Sequence, residues 1–209
     1  MIVQGKLSAT QNISFNLLSQ VPLILSGIIV SIITARLLGA EGKGIIGIYT
    51  QNIILINLLF GLGLNQAATY FSSKAKNNLG PILKFGLFHS IISLIITVSL
   101  ALVLFLKNHG YTMIPEIDDF YWAYIYMSVS IILNQGNGYI NAVLFGSQEY
   151  REANKLSILK AIISTILFSS LYAFGDRIHN PMIIQVMIVS LIGNALQLLS
   201  VLKGFNRWK

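Results

Sequence analysis

The side chains in this sequence that are best suited to binding a solute are amides, placed at helical spacing within long apolar stretches. Residues three or four positions apart share one face of a helix, so each group of amides would form a polar stripe. Amides both donate and accept hydrogen bonds, which matches the hydroxyl pattern of a sugar. The candidate residues are Asn16, Gln20, Asn57, Asn65, Gln66, Asn134, Asn137, Asn141, Asn194 and Gln197.

Any one of these amides could instead join two helices, because interhelical hydrogen bonds contribute up to about 2 kcal/mol each within a membrane. Stripes on four separate segments exceed what such packing needs. We therefore predict a polar, partly hydrated cavity between helices. Binding of metal ions or protons would call for carboxylates and histidines instead.

Signatures of catalysis are missing from the sequence. Asp118 and Asp119 are adjacent, while His89, His109 and His179 lie on different segments without metal-ligand spacing. No phosphate-binding Gly-Lys-Ser/Thr loop is found. We predict no catalytic residues, no metal and no cofactor, and His89 is more typical of a packed or interfacial histidine than of a proton relay. A membrane enzyme acting through Asp118, Asp119 or His109 is the alternative.

The composition places the chain in a membrane. Hydrophobic residues make up 55% of the 209 residues and charged residues only 10%, whereas about a quarter of a soluble domain is charged. The net charge of +7 comes from short clusters between apolar runs. That arrangement argues against nucleic-acid binding, which needs a continuous basic face.

Six apolar segments are each long enough to cross a hydrocarbon core of about 30 Å. Isolated strands cannot satisfy their backbone in lipid, so we predict an all-α, polytopic membrane protein with one six-span domain over residues 1–209. The spans lie near Ile13–Ala35, Ile45–Phe71, Ile82–Leu106, Tyr121–Phe145, Ser157–Phe174 and Met182–Leu202.

The positive charges predict the orientation. Ten of the 14 Lys and Arg residues flank the side that holds both termini, and the side richer in these residues faces the cytoplasm. We therefore expect a multi-pass membrane protein with both termini on the cytoplasmic side.

Two glycine pairs lie within spans, in "FGLGLNQ" (60–66) and "NQGNG" (134–138). Each glycine costs about 1 kcal/mol of helix propensity. Such interruptions mark kinks or unwound turns that line cavities in transporters. Close packing of neighbouring helices is an equally good explanation.

Two stretches, "ITARLLGAEGKGIIGIYTQ" (33–51) and "FGLGLNQAATYF" (60–71), resemble the amino-terminal signature of the polysaccharide-biosynthesis flippases. These are the O-antigen and capsule lipid-linked oligosaccharide flippases of the multidrug/oligosaccharidyl-lipid/polysaccharide flippase superfamily. The resemblance implies two six-helix lobes around a cavity, with this chain as the amino-terminal lobe. It also implies alternating access that carries an undecaprenyl-pyrophosphate-linked glycan to the outer leaflet.

Arg36 matches the arginine that follows the first span in this signature. The resemblance makes it a candidate contact for lipid pyrophosphate. The alternative is an interfacial arginine that snorkels and fixes the helix position. Gly39, Gly42 and Gly44 predict a tight helix–turn–helix corner.

The family typically has about twice as many spans, so we expect an amino-terminal half or truncated flippase. Its partners would be the lipid-linked glycan, membrane lipid, and a second six-helix lobe or another copy of itself. One alternative is a nonfunctional fragment or a scaffold in a glycan-biosynthesis complex. The other is a drug or cation antiporter of the same superfamily, although antiport typically needs a buried acid that these spans lack.

Overall fold

The computed structural model describes residues 9–61, 63–74, 79–107, 120–175 and 181–204. Asp118, Asp119, His109 and His179 lie outside these residues. No strand occurs in the described ranges, which confirms the all-α class. The helices are α1 (Ala9–Gly61), α2 (Leu64–Lys74), α3 (Gly80–Lys107), α4 (Phe120–Gly146), α5 (Tyr150–Phe174) and α6 (Met182–Gly204).

A sharp corner at Gly39 divides α1 into a first limb (9–38) and a second limb (40–61). Gly39 has φ 66° and ψ −172°, a conformation that suits glycine because it has no Cβ. Lys43 Nζ donates to Ser31 O at 2.9 Å and to Ser31 Oγ at 2.8 Å. Twelve residues of continuous helix would separate these positions by about 18 Å. The limbs therefore fold back on each other, and the predicted corner is confirmed.

The predicted second span is interrupted about two-thirds of the way along its length. The second limb of α1 ends at Gly61, α2 begins at Leu64, and Gly63 between them has φ 72°. Of the two explanations for the first glycine pair, an unwound turn is therefore correct, and it lies within the predicted span over 45–71.

The second glycine pair behaves differently, because α4 runs unbroken from Phe120 to Gly146. A Cβ on Gly136 would come within 2.9 Å of Leu198 Cδ1, and one on Gly138 within 3.0 Å of Asn65 Nδ2. Of the two explanations for "NQGNG", a break is therefore wrong. Close packing of neighbouring helices accounts for these glycines.

Helix α4 lies at the centre of the bundle and packs against each of the other five described helices. Tyr49 and Ile53 of the second limb of α1 share a buried cluster with Ala123 and Ile131 of α4 and with Met187 of α6. Helix association in a membrane depends on close packing and polar contacts rather than on water exclusion. The fit around α4 therefore holds the bundle together.

The first limb of α1 packs on α5 through small polar side chains. Ser26 Oγ donates to Ala161 O at 2.9 Å and lies 2.7 Å from Thr165 Oγ1. Helix α5 begins at Tyr150, seven residues before the predicted fifth span, which adds a polar turn at its start.

Four of the described helices are long and apolar enough to cross a membrane: α1 over Leu17–Gly61, α3 over Gly80–Ser99, α5 over Tyr150–Phe174 and α6 over Met182–Leu199. The α1 stretch contains both limbs. Helix α4, which carries the amides at the centre of the bundle, is not in this set. The membrane character of the chain is therefore supported, and the count of six crossings stays a prediction.

Candidate substrate site

Residues of α6 and α2 contact two adjacent residues of α4, Asn137 and Gly138, from different sides. Asn137 Nδ2 donates to the backbone oxygen of Asn194 on α6 at 3.2 Å. On the other side, the amide of Asn65 on α2 contacts Gly138, whose missing Cβ leaves it room. We call Asn65, Asn137 and Asn194 the amide cluster. Its members come from three of the predicted stripes.

Small residues along α4 allow α2 to approach so closely. Ala68 of α2 is buried with Tyr139 and Ala142 of α4. At the end of α4, a Cβ on Gly146 would lie 2.3 Å from the backbone oxygen of Thr69. Helix α2 is therefore fixed along the last turns of α4, which positions Asn65.

Several buried polar atoms of α4 and α1 have no hydrogen-bond partner among the described residues. They include Oδ1 of Asn137, Oδ1 of Asn141 and Oγ of Ser130 on α4, and Oδ1 of Asn57 on α1. The three α4 residues share one helix face with Asn134. An unpaired buried acceptor costs about 1–3 kcal/mol, so this face is suited to accept hydrogen bonds from hydroxyl groups.

The structure does not bring all the predicted site residues together. Gln20 is exposed on the first limb of α1, which packs against α5, so it does not join the amide cluster. Asn134, Asn65 and Gln66 are exposed on the bundle surface, and Gln197 is buried. The side chain of Asn16 lies outside the described part of the chain.

Arg36 lies at a different level of the bundle from the amides. Its neighbours Leu37 and Leu38 pack against the cluster of Phe168, Leu171 and Val186. Asn194 is eight residues beyond Val186, a rise of about 12 Å along α6. Arg36 is exposed at the corner and is not part of the amide cluster.

Spacing alone missed Gln135 on α4. It is 6% exposed, and neither of its amide atoms has a hydrogen-bond partner among the described residues. Gln135 lies one turn before Tyr139, on a different face from the Asn134–Asn137–Asn141 stripe. A search for amides three or four residues apart on one face therefore passes over it.

Comparison with known families finds a match over residues 9–208 to the family described as "Polysaccharide biosynthesis protein". This match spans almost the whole chain, including the two stretches that carry the resemblance. No curated protein and no solved structure matches the chain.

Proposed function

Because the chain belongs to the polysaccharide biosynthesis protein family, we propose that it translocates undecaprenyl-linked oligosaccharide repeat units across the bacterial inner membrane. The observation that carries this proposal is the amide cluster, in which Asn137 is buried and bonded to Asn194 O while Asn65 is exposed beside Gly138. Neutral amides pair with sugar hydroxyls without a strong charge that would hold the glycan too tightly to release.

The interruption between Gly61 and Leu64 supports a transport cycle. Helix α2 is packed on α4 at Gly138 and Gly146, while a Cβ on Gly61, at the end of the second limb of α1, would meet no described atom within 4 Å. Broken helices of this kind let one part of a transporter move against another around a fixed site. We expect the α2–α4 pair to hold the site while the second limb of α1 moves.

A second lobe would complete the site. Asn65, Gln66 and Asn134 are exposed on the surface of this bundle, and polar groups facing hydrocarbon cost free energy. We propose that a second six-helix lobe, or a second copy of this chain, covers this face. The cavity would then lie between the two lobes.

Arg36 suits the lipid end of the same substrate. A pyrophosphate remains at the headgroup level while the glycan enters more deeply, so the two would need groups at different heights. Arg36 is offset along the bundle from the amide cluster and exposed at a corner. In the proposed orientation this corner faces outward, and the guanidinium would contact pyrophosphate bidentately.

The test is deletion of the gene in a strain without redundant flippases, followed by complementation. The deletion should leave lipid-linked glycan on the cytoplasmic leaflet, as measured by mass-tagged or radiolabelled precursor. Asn137→Ala should restore export poorly, whereas the matched amide variant Gln20→Ala, away from the cluster, should restore it fully at equal protein levels. Normal surface glycan in the clean deletion would rule out translocation. Loss of glycan assembly with normal translocation would favour a scaffold.

A further inference from the structure

One buried amide of α4 lies beside the interruption between α1 and α2. Gln135 is one turn after Ile131, which shares a buried cluster with Ile53 of the second limb. It is also one turn before Gly138, which contacts the Asn65 amide at the start of α2. Residues three or four apart share one face of a helix. Gln135 therefore faces the region where the second limb ends and α2 begins.

Helix α3 borders the same region. It runs antiparallel to α4, since Leu83 near its start is buried among residues of the last turns of α4. Further along α3, His89 Nδ1 lies 3.0 Å from the hydroxyl of Tyr139. The next turn of α3 therefore meets the preceding turn of α4, which holds Gln135. Ser93 lies in that turn of α3, four residues after His89 and on the same face.

Gln135 and Ser93 are both buried with unpaired polar atoms. Gln135 is 6% exposed and Ser93 is 1% exposed. Among the described residues, neither amide atom of Gln135 has a hydrogen-bond partner, and nor does Oγ of Ser93. Most buried polar side chains in proteins are paired, because an unpaired one costs free energy. Two such side chains on facing turns of α3 and α4 indicate a site for a polar ligand.

The end of the second limb adds backbone oxygens to this region. The last four carbonyls of a helix have no partner within that helix, and the second limb ends at Gly61. The hydrogen-bond pattern of α2 starts only at Gly63, whose oxygen accepts from Ala67 N at 3.1 Å. The carboxyl end of a helix also carries a partial negative charge, which favours a cation.

This set of oxygens suits a monovalent cation better than water or a divalent ion. A cation contacts several oxygens at once, whereas a water molecule donates only two hydrogen bonds. Calcium sites in proteins use carboxylates, and α2, α3 and α4 contain no acidic residue. On α1, Glu41 lies at the opposite end of the second limb. In transporters with broken helices, carbonyls at half-helix ends coordinate sodium ions.

We propose that Gln135 Oε1, Ser93 Oγ and the carbonyl oxygens at the end of the second limb bind a monovalent cation such as sodium. The bound ion joins the end of the second limb to α3 and α4. Its departure leaves the negative end of the limb without a partner, so the limb is released. As a coupling ion, it rests on the transport function proposed above, but its test needs no glycan.

The first measurement is the unfolding midpoint of the full-length protein in detergent. Sodium chloride is added while choline chloride keeps the ionic strength constant. An ion that binds the folded protein raises the midpoint, and we expect a rise of several degrees in sodium and none in choline.

Variants then assign this rise to the two side chains. Gln135→Met fills similar space without the oxygen, so it should lose most of the rise, as should Ser93→Ala. Gln135→Glu keeps an oxygen ligand and should retain the rise. Without sodium, Gln135→Met should be at least as stable as the parent, because a buried unpaired amide is removed. Gln20→Met, a matched change of an exposed amide on the first limb, should respond to sodium as the parent does.

The second measurement follows the interruption itself. The chain contains no cysteine, so a single introduced thiol reports its accessibility. Gly61→Cys places the thiol there, and Gly44→Cys is the matched control on the same limb; a Cβ meets nothing within 4 Å at either site. Both are reconstituted in lipid vesicles and labelled with a methanethiosulfonate reagent at one pH. Sodium should lower the ratio of their labelling rates several-fold, but not in a Gln135→Met background.

Equal responses to sodium and choline would overturn the proposal and leave only bound water between these side chains. A sodium response that persists in both Gln135→Met and Ser93→Ala would also overturn it, because the ion would bind elsewhere. If sodium acts as expected while the deletion strain exports glycan normally, the cation site stands and the proposed substrate is wrong. If export fails in the deletion while sodium has no effect, the transport function stands without this site.

Discussion

Two glycine pairs look alike in the sequence and have opposite roles in the structure. Gly61 and Gly63 end one helix and precede another, and Gly63 takes a positive φ of 72°. Gly136 and Gly138 continue a regular helix, where side chains of α6 and α2 approach within 2.9 and 3.0 Å of the missing Cβ. The first pair allows one helix to end and the chain to take a positive φ. The second pair allows α6 and α2 to pack close to α4.

The two glycine pairs lie in regions of the bundle that differ in how closely they are packed. A Cβ on Gly61 would meet no atom within 4 Å, so there is free space beside the end of the second limb, whereas Tyr49 and Ile53 earlier on this limb are buried against α4. Along α4, Gly138 and Gly146 allow α2 to approach closely, so the Asn65 amide lies against Gly138, the residue after Asn137, whose own amide donates to the backbone oxygen of Asn194. An interruption between two helices therefore lies next to a closely packed contact between α2 and α4. Substitutions at these glycines can separate the two roles.

The largest effect is expected at Gly146, the most tightly packed glycine of α4. A Cβ there would lie 2.3 Å from a backbone oxygen, so α2 must move away. Overpacking of this kind costs about 3 kcal/mol at the upper end of its usual range. Gly146→Ala should lower the unfolding midpoint in detergent strongly and expose α2 to protease. Unchanged stability would mean that α2 is not fixed to α4, and the contrast between the two regions would be lost.

Gly63→Ala should have the next largest effect, about 1–2 kcal/mol, because a side chain at positive φ meets its own backbone. Gly61→Ala is the control, since Gly61 is helical and has free space; it should raise stability by about 0.5–1 kcal/mol. The free energy of unfolding by steric trapping in lipid measures both. Equal destabilisation by the two variants would contradict a break that is specific to Gly63.

Gly138→Ala should cost about 1 kcal/mol, since the Asn65 amide can shift by a few tenths of an ångström. Gly136→Ala should cost less, because its neighbour is the flexible end of Leu198. In an export assay, only Gly138→Ala should reduce transport, since it displaces a member of the amide cluster. Equal export by both variants, at matched protein levels, would mean that Asn65 is not part of the substrate site.

The features that the sequence predicted correctly depend on local signals. Composition predicts a helical membrane protein, and Gly39 marks the corner because a positive φ is a property of one residue and its neighbours. The interruption at Gly63 follows from the same signal. These parts of the fold need no knowledge of what packs nearby.

The remaining features depend on contacts between distant residues. Spacing placed Gln20 in a stripe, but it could not show that the first limb would face α5 instead of α4. His89 was expected to be a packed or interfacial histidine, and its partner Tyr139 is 50 residues away. Gly136 and Gly138 required the positions of α6 and α2 to be explained. Tertiary packing determines which neighbour each helix face meets, and the residue spacing of a single helix carries no information about that packing.

The smallest effect is expected at Glu149, in the turn that follows Gly146. It tests whether water reaches this end of the contact between α2 and α4. Burial raises the pKa of the Glu149 carboxyl, and the charge of Glu152 raises it further. Because the folded pKa lies above the unfolded value of about 4.3, this group contributes stability below that pH, and the contribution is lost as pH rises through the folded pKa.

Glu149→Gln should therefore remove a decline in the unfolding midpoint between about pH 4 and neutral pH, and should stabilise the protein at neutral pH by under about 1 kcal/mol. The measurement is the unfolding midpoint across that range in detergent. Glu41→Gln, an exposed acid at the α1 corner, is the matched control and should leave the slope in place. An unchanged slope in Glu149→Gln would mean that the turn is hydrated. The closely packed contact between α2 and α4 would then end before Gly146. Only the residues around Gly138 would remain tightly packed.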